Sequence, residues 1–248
     1  MSHSFGNPLV EADIGITANG TTNASTAVLH SFYNEIDTST SAAYACVLPL
    51  QPVLGQKYKL KNNGAYQVLV FPADPSSGSS TIDGGASFCL ANNGASVTFV
   101  AMSETLSSGD NHIIAWHSFN MSGHGIISTA ASITLLACPK FKMNVVALGA
   151  AAITVTLPTP VGNGGMIVDV IKSGLAGVGG QDITVSSTAS LVDASLINAG
   201  VVLGSTEAST SVVIEDAASR GTTLHLESNN IAWAGYGTSE IASGFSVA

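Results

Sequence analysis

The sequence predicts an all-β fold made of two tandem, related domains of β-sandwich or jelly-roll type, over residues 15–122 and 123–236. Three observations predict it. Short apolar or alternating segments are typical of strands, residues that favour turns separate them, and one set of landmarks occurs twice in the same order. We expect residues 1–14 to form an N-terminal arm and residues 237–248 a C-terminal tail.

The internal repeat depends on three landmarks. A Gly-Ile pair precedes an apolar segment that stops at Leu-Pro, at spacings of 34 and 33 residues (positions 15 to 49 and 125 to 158). Ile-Ala-Trp then follows after 67 and 75 residues (49 to 116 and 158 to 233), and it contains the only two tryptophans of the chain. We predict that the prolines and tryptophans occupy equivalent positions and that the tryptophans are packing residues. These four repeat anchors are Pro49, Trp116, Pro158 and Trp233.

Strand and turn signals alternate along both halves. Some strand segments alternate apolar and polar residues and others are apolar throughout; examples are 68–71, 97–100, 167–168 and 223–227. Between them lie triplets able to supply the positive φ of tight hairpins: Asn62-Asn63-Gly64, Asp83-Gly84-Gly85, Asn92-Asn93-Gly94 and Gly109-Asp110-Asn111. The one helix candidate, Thr26–Glu35, fits an extended segment equally well and stays unassigned.

Composition limits the classes of partner. Hydrophobic residues make up 46% of the chain and charged residues only 9%, against about 25% charged in an average protein. The net charge of −9 and the single arginine, Arg220, disfavour nucleic-acid binding. A soluble protein with so neutral a surface is expected to cover much of it with partners, so we predict a homo-oligomer, with a trimer as the preferred state.

Membrane and export signals are weak. The longest uncharged apolar stretch, Met143–Pro158, is interrupted by Asn144, Gly149 and threonines, so it is not expected to span a bilayer. The first residues show no basic region followed by an apolar run, so we expect no signal peptide and synthesis in a cytoplasm. Asn-x-Ser/Thr triplets at Asn19, Asn23 and Asn120 are therefore interpreted as chance matches.

Cysteine spacing and motif content disfavour catalysis. Cys46, Cys89 and Cys138 are odd in number and far apart, so we interpret them as small buried hydrophobic residues. The common hydrolase, zinc-protease, nucleotide-binding and calcium-binding motifs are absent from the sequence, and the glycine-rich segment 174–180 lacks the Lys-Ser/Thr of a phosphate loop. We therefore predict a protein that is not an enzyme and that carries no cofactor.

Two groups of side chains remain as alternatives for chemistry. Three histidines, His112, His117 and His124, lie close in sequence, but their spacing matches no common zinc signature, so surface or interface positions are favoured. Two acidic pairs are conceivable as the acid and nucleophile of a glycosidase, although solvated surface positions are the commoner case for acidic residues. These pairs are Glu35/Asp37 and Glu215/Asp216.

One string of motifs in the first half resembles a module of structural proteins of tailed bacteriophages, which occurs in decoration proteins, head fibres and tail-associated proteins. The matching segments cover residues 15 to about 117: Leu48-Pro49, 55–58, 62–64, 68–72, 82–85 and Trp116. The second half keeps the Leu-Pro and the tryptophan but has Val168-Asp169-Val170-Ile171 where the module has Val-Tyr-Pro. The resemblance implies a component of the virion and supplies no catalytic residues.

Within that class, a capsid cement or decoration protein is the preferred expectation. Such a protein would bind the major capsid protein across joints of the shell, and several modest interfaces per oligomer would add to a firm attachment. The first alternative is a fibre or tail adhesin that recognises a host receptor, although aromatic residues are only 6% of the chain and no stalk repeat is present. A polysaccharide-cleaving tailspike is the third.

Overall fold

The computed structural model describes residues 12–20, 27–39, 44–73, 80–106, 112–148, 151–174, 180–187, 192–205 and 209–247. These residues form 22 strands and no helix. The prediction of an all-β protein is therefore confirmed. The segment 26–35, left unassigned above, contains β2 and the start of β3 as far as it is described.

The chain divides into two compact units between Ser122 and Gly123, except that Ala91–Asn93 belongs to the second unit. The first unit contains ten strands: β1 (Ala12–Thr17), β2 (Ala27–Val28), β3 (Tyr33–Thr38), β4 (Ala45–Val47), β5 (Lys57–Asn62), β6 (Val68–Phe71), β7 (Thr81–Ile82), β8 (Phe88–Leu90), β9 (Ala95–Leu106) and β10 (His112–Ser122). They form a six-stranded sheet in the order β1-β3-β5-β9-β10-β7 and a four-stranded sheet in the order β2-β4-β6-β8.

The second unit contains twelve strands: β11 (Gly125–Thr129), β12 (Ile133–Thr134), β13 (Lys142–Ala147), β14 (Ile153–Leu157), β15 (Ile167–Lys172), β16 (Ile183–Ser187), β17 (Val192–Asn198), β18 (Val201–Ser205), β19 (Ser211–Ile214), β20 (Thr223–Ser228), β21 (Trp233–Ser239) and β22 (Phe245–Val247). They form a seven-stranded sheet in the order β11-β13-β15-β20-β21-β17-β18 and a five-stranded sheet in the order β12-β14-β16-β19-β22.

Both units have the same strand order. In each, the first six strands alternate between the two sheets and pair in parallel within each sheet. The later strands correspond as β7 to β17, β8 to β19, β9 to β20 and β10 to β21, with matching parallel or antiparallel pairing. The second unit adds β18 and β22, each at the edge of a sheet. This shared strand order is the one expected of two related tandem domains.

The parallel ladders distinguish these sheets from the antiparallel ladders of a jelly roll. A chain that passes from one sheet to the other and back adds its next strand beside the previous one in the same direction. Parallel neighbours buried on one face should alternate buried and partly exposed side chains, and β14 and β16 do so. The alternation of apolar and polar residues in the sequence predicted strands, but it does not indicate whether neighbouring strands are parallel or antiparallel.

Aromatic and aliphatic side chains fill the space between the two sheets of each unit. In the first unit, Phe88 of the four-stranded sheet meets Phe99 of the six-stranded sheet edge to face, with ring centroids 5.3 Å apart. In the second, Phe245 lies so close to Gly237 that a Cβ there would stand 2.7 Å from its ring. A larger residue at position 237 would require the ring of Phe245 to shift where the two sheets pack.

The predicted turn chemistry is found at two turns, between β7 and β8 and between β8 and β9, although each connects strands of different sheets and is not a hairpin. Asp83 and Gly84 have φ of 52° and 82°, and Asn93 and Gly94 have φ of 59° and 79°. Two consecutive positive φ angles define the turn that matches the twist of paired strands. The triplet 62–64 differs, since neither Asn63 nor Gly64 has a positive φ. The triplet 109–111 lies outside the described residues.

Three expectations about particular residues need correction. Residues 237–247, predicted as a tail, are the end of β21 and the whole of β22, because Phe245 is a core residue at 3% exposure. Residues 12–14, assigned to an arm, begin β1, while 1–11 lie outside the described residues. Cys46 is a free, buried thiol as predicted, but Cys89 and Cys138 are disulfide-bonded.

No helix among the described residues is both long enough and apolar enough to cross a membrane.

Candidate functional site

The repeat anchors lie at corresponding places in the two units. Trp116 is on β10 and Trp233 on β21, which are corresponding strands, and both side chains are fully buried. Pro49 and Pro158 closely follow the corresponding strands β4 and β14. The indole Nε1 of Trp233 donates a hydrogen bond to the carbonyl of Pro158 at 2.9 Å, so the two anchors of the second unit are directly joined.

The first unit lacks this bond. Trp116 packs edge to face against Tyr58, with ring centroids 5.6 Å apart. Its Nε1 is buried and has no hydrogen-bond partner among the described residues. The sequence pattern thus located two equivalent core positions, but only one of them includes the polar contact.

The three histidines do not form a metal site. His112 pairs with Glu104 across the β9–β10 hairpin, and His117 lies 3.7 Å from a carboxylate oxygen of Asp83. His124 is exposed in the segment before β11. No group of three potential metal ligands occurs within the part of the chain that the structure describes.

The first acidic pair is part of a surface network on β3. The hydroxyl of Tyr33 donates to Glu35 at 2.7 Å, and the amide of Asn63 donates to both Glu35 and Asp37. Lys61 lies 3.5 Å from Glu35. The hydrogen bond from Tyr33 lowers the pKa of Glu35, with further lowering by Lys61 and Asn63. A glycosidase acid needs a raised pKa, so Glu35 has the opposite adjustment.

The same network gives a pH prediction. The bond to Glu35, followed by burial and the charges of Glu35 and Asp37, raises the pKa of Tyr33 from 10.0 to about 12. Because the folded pKa is the higher one, the stability contributed by Tyr33 is fully present below pH 10.0 and is lost as the pH rises through about 12. In a phenolate absorbance titration of Glu35→Gln, we expect the pKa of Tyr33 to fall towards 10.0.

Asp37→Asn is the matched control, since the charge of Asp37 is the smallest of the causes that raise the pKa of Tyr33. It should shift the phenolate titration less than Glu35→Gln does. An unchanged titration in Glu35→Gln would contradict the assigned hydrogen bond.

The second acidic pair surrounds a buried lysine that sequence analysis did not identify. Lys172, at the end of β15, is 1% exposed, and its Nζ donates to the carbonyls of Glu215 at 2.8 Å and Asp216 at 2.7 Å. Burial lowers the pKa of Lys172, and the nearby charges of Asp216, Asp182 and Glu215 partly oppose this shift. The backbone NH of Gln181 donates to the carboxylate of Asp216. These acidic residues therefore hold a structural lysine in place.

A polar row crosses the partly exposed face of the seven-stranded sheet. Asp169 accepts from Lys142 and lies 2.6 Å from Nδ1 of His225, whose ring lies 5.0 Å from that of Tyr236. These residues come from β13, β15, β20 and β21, and the register places Asp169, His225 and Tyr236 opposite one another. All four are paired or stacked, as in a cross-strand ladder that stabilises a sheet.

The most apolar exposed strand is β18, the edge of the seven-stranded sheet. Val201, Val202 and Leu203 are 66%, 63% and 48% exposed. Consecutive strand residues point to opposite faces, so both faces of this strand are open to solvent. A turn with positive φ at Ala199 and Gly200 joins it to β17. No charged residue occurs from 201 to 205, although natural edge strands are commonly protected by charge.

A second exposed feature is a pocket on the outer side of the six-stranded sheet, with a cavity volume of about 290 Å³. Three strands, β5, β9 and β10, provide its walls. Phe119 and Met102 are 43% and 52% exposed beside it. The residues around it are Lys57, Thr98, Val100, Met102, Phe119 and Asn120.

Two sequence candidates lie wholly or mostly outside the described residues. Asn23 lies in the undescribed segment 21–26, and the glycine-rich loop is described only at 174 and 180.

Neither the buried Lys172 nor the pocket of the first unit could be recognised in the sequence, because each depends on strands that are distant in the chain.

Comparison with known proteins identifies no family for this chain. No family model and no curated protein matches the chain. One similar solved chain comes from a structure described as a chaperone-substrate complex, with 14% identity and a TM-score of 0.29. The match covers 96% of this chain and 35% of the solved chain, so this chain spans about a third of the length of the protein it matches. Likeness at this level carries no functional argument.

Proposed function

We propose that this chain is a non-enzymatic structural protein of a tailed-bacteriophage virion, made in the host cytoplasm, and that it serves as a capsid cement protein. In this role a homotrimer binds the major capsid protein on the outer surface of the shell and joins neighbouring capsomers. The motif string of the first unit supports the class of protein, and the exposed apolar edge β18 supports a binding role rather than a catalytic one.

The edge strand is the observation that carries the proposal. An uncharged apolar strand with open backbone groups pairs readily with a strand of another chain. Among the described residues, the second unit has this strand and the first unit has no counterpart, so β18 is an addition to the topology that the described strands share. A permanent partner would remove the apolar side chains of Val201, Val202 and Leu203 from water.

The contacts of the acidic residues fit structural roles for them. Glu35 has a lowered pKa, and Glu215 and Asp216 hold Lys172 and neighbouring groups. Lys172 bonds with the backbone carbonyls of the second pair, while the carboxylates of Glu35, Glu215 and Asp216 accept from Tyr33, Ser246 and the backbone NH of Gln181.

The experiment that tests the cement role is cryo-electron microscopy of the source particle. Density of this chain at the joints between capsomers, in a copy number that follows the lattice, is the expected result. Density confined to the tail or to a vertex appendage would overturn the cement role and favour an adhesin. Sedimentation of the purified chain tests the oligomer, and a dispersed monomer at micromolar concentration would contradict the trimer.

A substitution tests the edge strand directly. Val202→Lys places a charge on β18, and we expect it to weaken binding to particles that lack this protein by about tenfold or more, the cost of losing one buried valine. Val161→Lys is the control, because Val161 is 64% exposed and Val202 63%, both in the second unit. Equal binding by the two variants would show that β18 is not the contact.

The second candidate function is a fibre or tail adhesin. The pocket of the first unit favours it, because an exposed aromatic residue beside hydrogen-bonding groups is a usual feature of small-ligand sites. The cryo-electron microscopy experiment separates the two roles by the position of the density.

A further inference from the structure

Lys57, which lines the pocket of the first unit, is one of three lysines on β5 that differ in what they contact. Lys57, Lys59 and Lys61 alternate along β5 and so project from the same face of the sheet. They are three of only seven basic residues in a chain of net charge −9. A local positive region in an acidic protein attracts ligands of opposite charge.

Two of these lysines already have a partner within the unit. Lys61 lies 3.5 Å from the carboxylate of Glu35, and Lys59 stands over the ring of Tyr33, 5.8 Å from its centroid. Lys57 has no ion pair or cation–π contact within the described residues, and it is the one that lines the pocket. The charge available for a ligand is therefore at Lys57.

The floor of the pocket contains an unused hydroxyl. Thr98 pairs with Lys59 on one side and with Phe119 on the other, so it lies at the centre of the row. Its side chain is 9% exposed, lines the pocket and makes no hydrogen bond to any described residue. Because Thr98 lines the pocket, its hydroxyl is available to form a hydrogen bond with a ligand there.

The walls of the pocket are apolar on one side. Phe119 of β10 and Met102 of β9 remain about half exposed, and Val100 of β9 also lines the pocket. Asn120, with a φ of 50°, turns the chain at the end of the pocket, and its side-chain amide has no described partner. The cavity of about 290 Å³ is near the lower limit of roughly 300 Å³ for ligand pockets, which suits a single compact ring.

We propose that this pocket binds an acidic sugar residue. The carboxylate of the sugar pairs with Lys57, the apolar face of its ring lies against Phe119, and its hydroxyl groups bond with Thr98 and Asn120. Among the described residues, Lys57 has no ion pair and the side chains of Thr98 and Asn120 have no hydrogen bond, whereas the ring of Phe119 lies tilted against that of His117 with centroids 6.4 Å apart. The site belongs to the first unit alone, so it is independent of the proposed docking by β18 and stands whether the protein is a cement or a fibre.

The ligand class follows from the combination of groups. A purely apolar ligand would leave Lys57 and Thr98 without partners, and a small inorganic anion would leave Phe119 and Met102 exposed to water. A carboxylated sugar carries an anion, several hydroxyl groups and an apolar ring face in one unit. It is therefore the class that satisfies all of these side chains together.

The test is an NMR titration of the full chain, labelled with ¹⁵N, with D-glucuronate and with D-glucose as the neutral counterpart. We expect saturable shifts centred on β5, β9 and β10 with glucuronate. Glucose should bind about three- to fivefold more weakly, which is the effect of one exposed ion pair. Equal affinity for the two sugars would overturn the role of Lys57.

Three variants complete the test. Lys57→Met should reduce the affinity for glucuronate by about three- to fivefold, and Phe119→Ala should reduce the affinity for both sugars. Lys61→Met is the matched control, because it removes the same charge from the same face of the same strand away from the pocket, and its affinity should stay near that of the wild type. Well-dispersed spectra show that each variant is folded.

Two results would overturn the site itself. One is the absence of saturable shifts with glucuronate in the folded wild-type protein. The other is an equal loss of affinity in Lys57→Met and Lys61→Met, which would show that glucuronate senses only the general charge of β5. Neither result would bear on capsid binding, which Val202→Lys tests separately.

Discussion

Replacing Trp233 with alanine is expected to lower the free energy of unfolding by about 3–5 kcal/mol, the usual cost of removing a large aromatic side chain from a core. Trp233 is fully buried and begins β21, between β17 and β20. Urea unfolding of the full chain, followed by near-ultraviolet circular dichroism, measures the change. A loss below about 1 kcal/mol, the scale of ordinary surface substitutions, would contradict this packing role.

The phenylalanine variants separate packing from hydrogen bonding. Trp233→Phe also removes the bond to Pro158, whereas Trp116→Phe removes an Nε1 that has no partner among the described residues. We expect Trp233→Phe to cost about 1–2 kcal/mol more than Trp116→Phe, since it leaves a carbonyl without its donor. Equal costs would mean that the bond adds nothing to stability.

Replacing Lys172 with methionine is the second large effect. The lysine is 1% exposed and joins β15 to the chain after β19 through two carbonyls. Methionine fills similar volume but leaves both carbonyls without a donor, so we expect a loss of about 3 kcal/mol in urea unfolding. Lys142→Met is the control, because Lys142 is 43% exposed and its pair with Asp169 should contribute at most about 1 kcal/mol.

The effect of Lys172 also depends on pH. Burial lowers its pKa in the folded state below the ordinary 10.5. Between the lowered pKa and 10.5 the unfolded chain binds more protons than the folded chain, so the contribution of Lys172 to stability rises with pH in that window. The difference in unfolding free energy between the wild type and Lys172→Met should therefore increase as the pH approaches 10.5 from below. A decrease would contradict the direction of the shift.

The sequence was informative where structure depends on local pattern. The all-β class followed from short alternating segments, and the Asn93-Gly94 and Asp83-Gly84 turns from residues that tolerate positive φ. The repeat landmarks pointed to Trp116 and Trp233, which lie on corresponding strands. Each of these features is determined by residues close together in the chain.

Features that depend on distant pairing could not be predicted. The parallel pairing of β13 and β15 cannot be inferred from the alternation of apolar and polar residues. The strand β22 was predicted to be part of a tail because Gly and Ser residues precede it. Lys172 is an ordinary lysine in the sequence until the chain 43 and 44 residues later supplies its two carbonyls. The pocket likewise forms only when β5, β9 and β10 are adjacent.

The parallel ladders also have a consequence for how the chain folds. Lys142 pairs with Ile167, and Ile167 pairs in turn with Glu227, so the central sheet of the second unit closes long loops before it gains contacts. Such non-local topologies fold slowly, typically in milliseconds to seconds. The hairpin of β17 and β18 adds only a local contact at the edge of that sheet. A charge on β18 should therefore leave the rate of folding unchanged, even where it weakens binding to the particle.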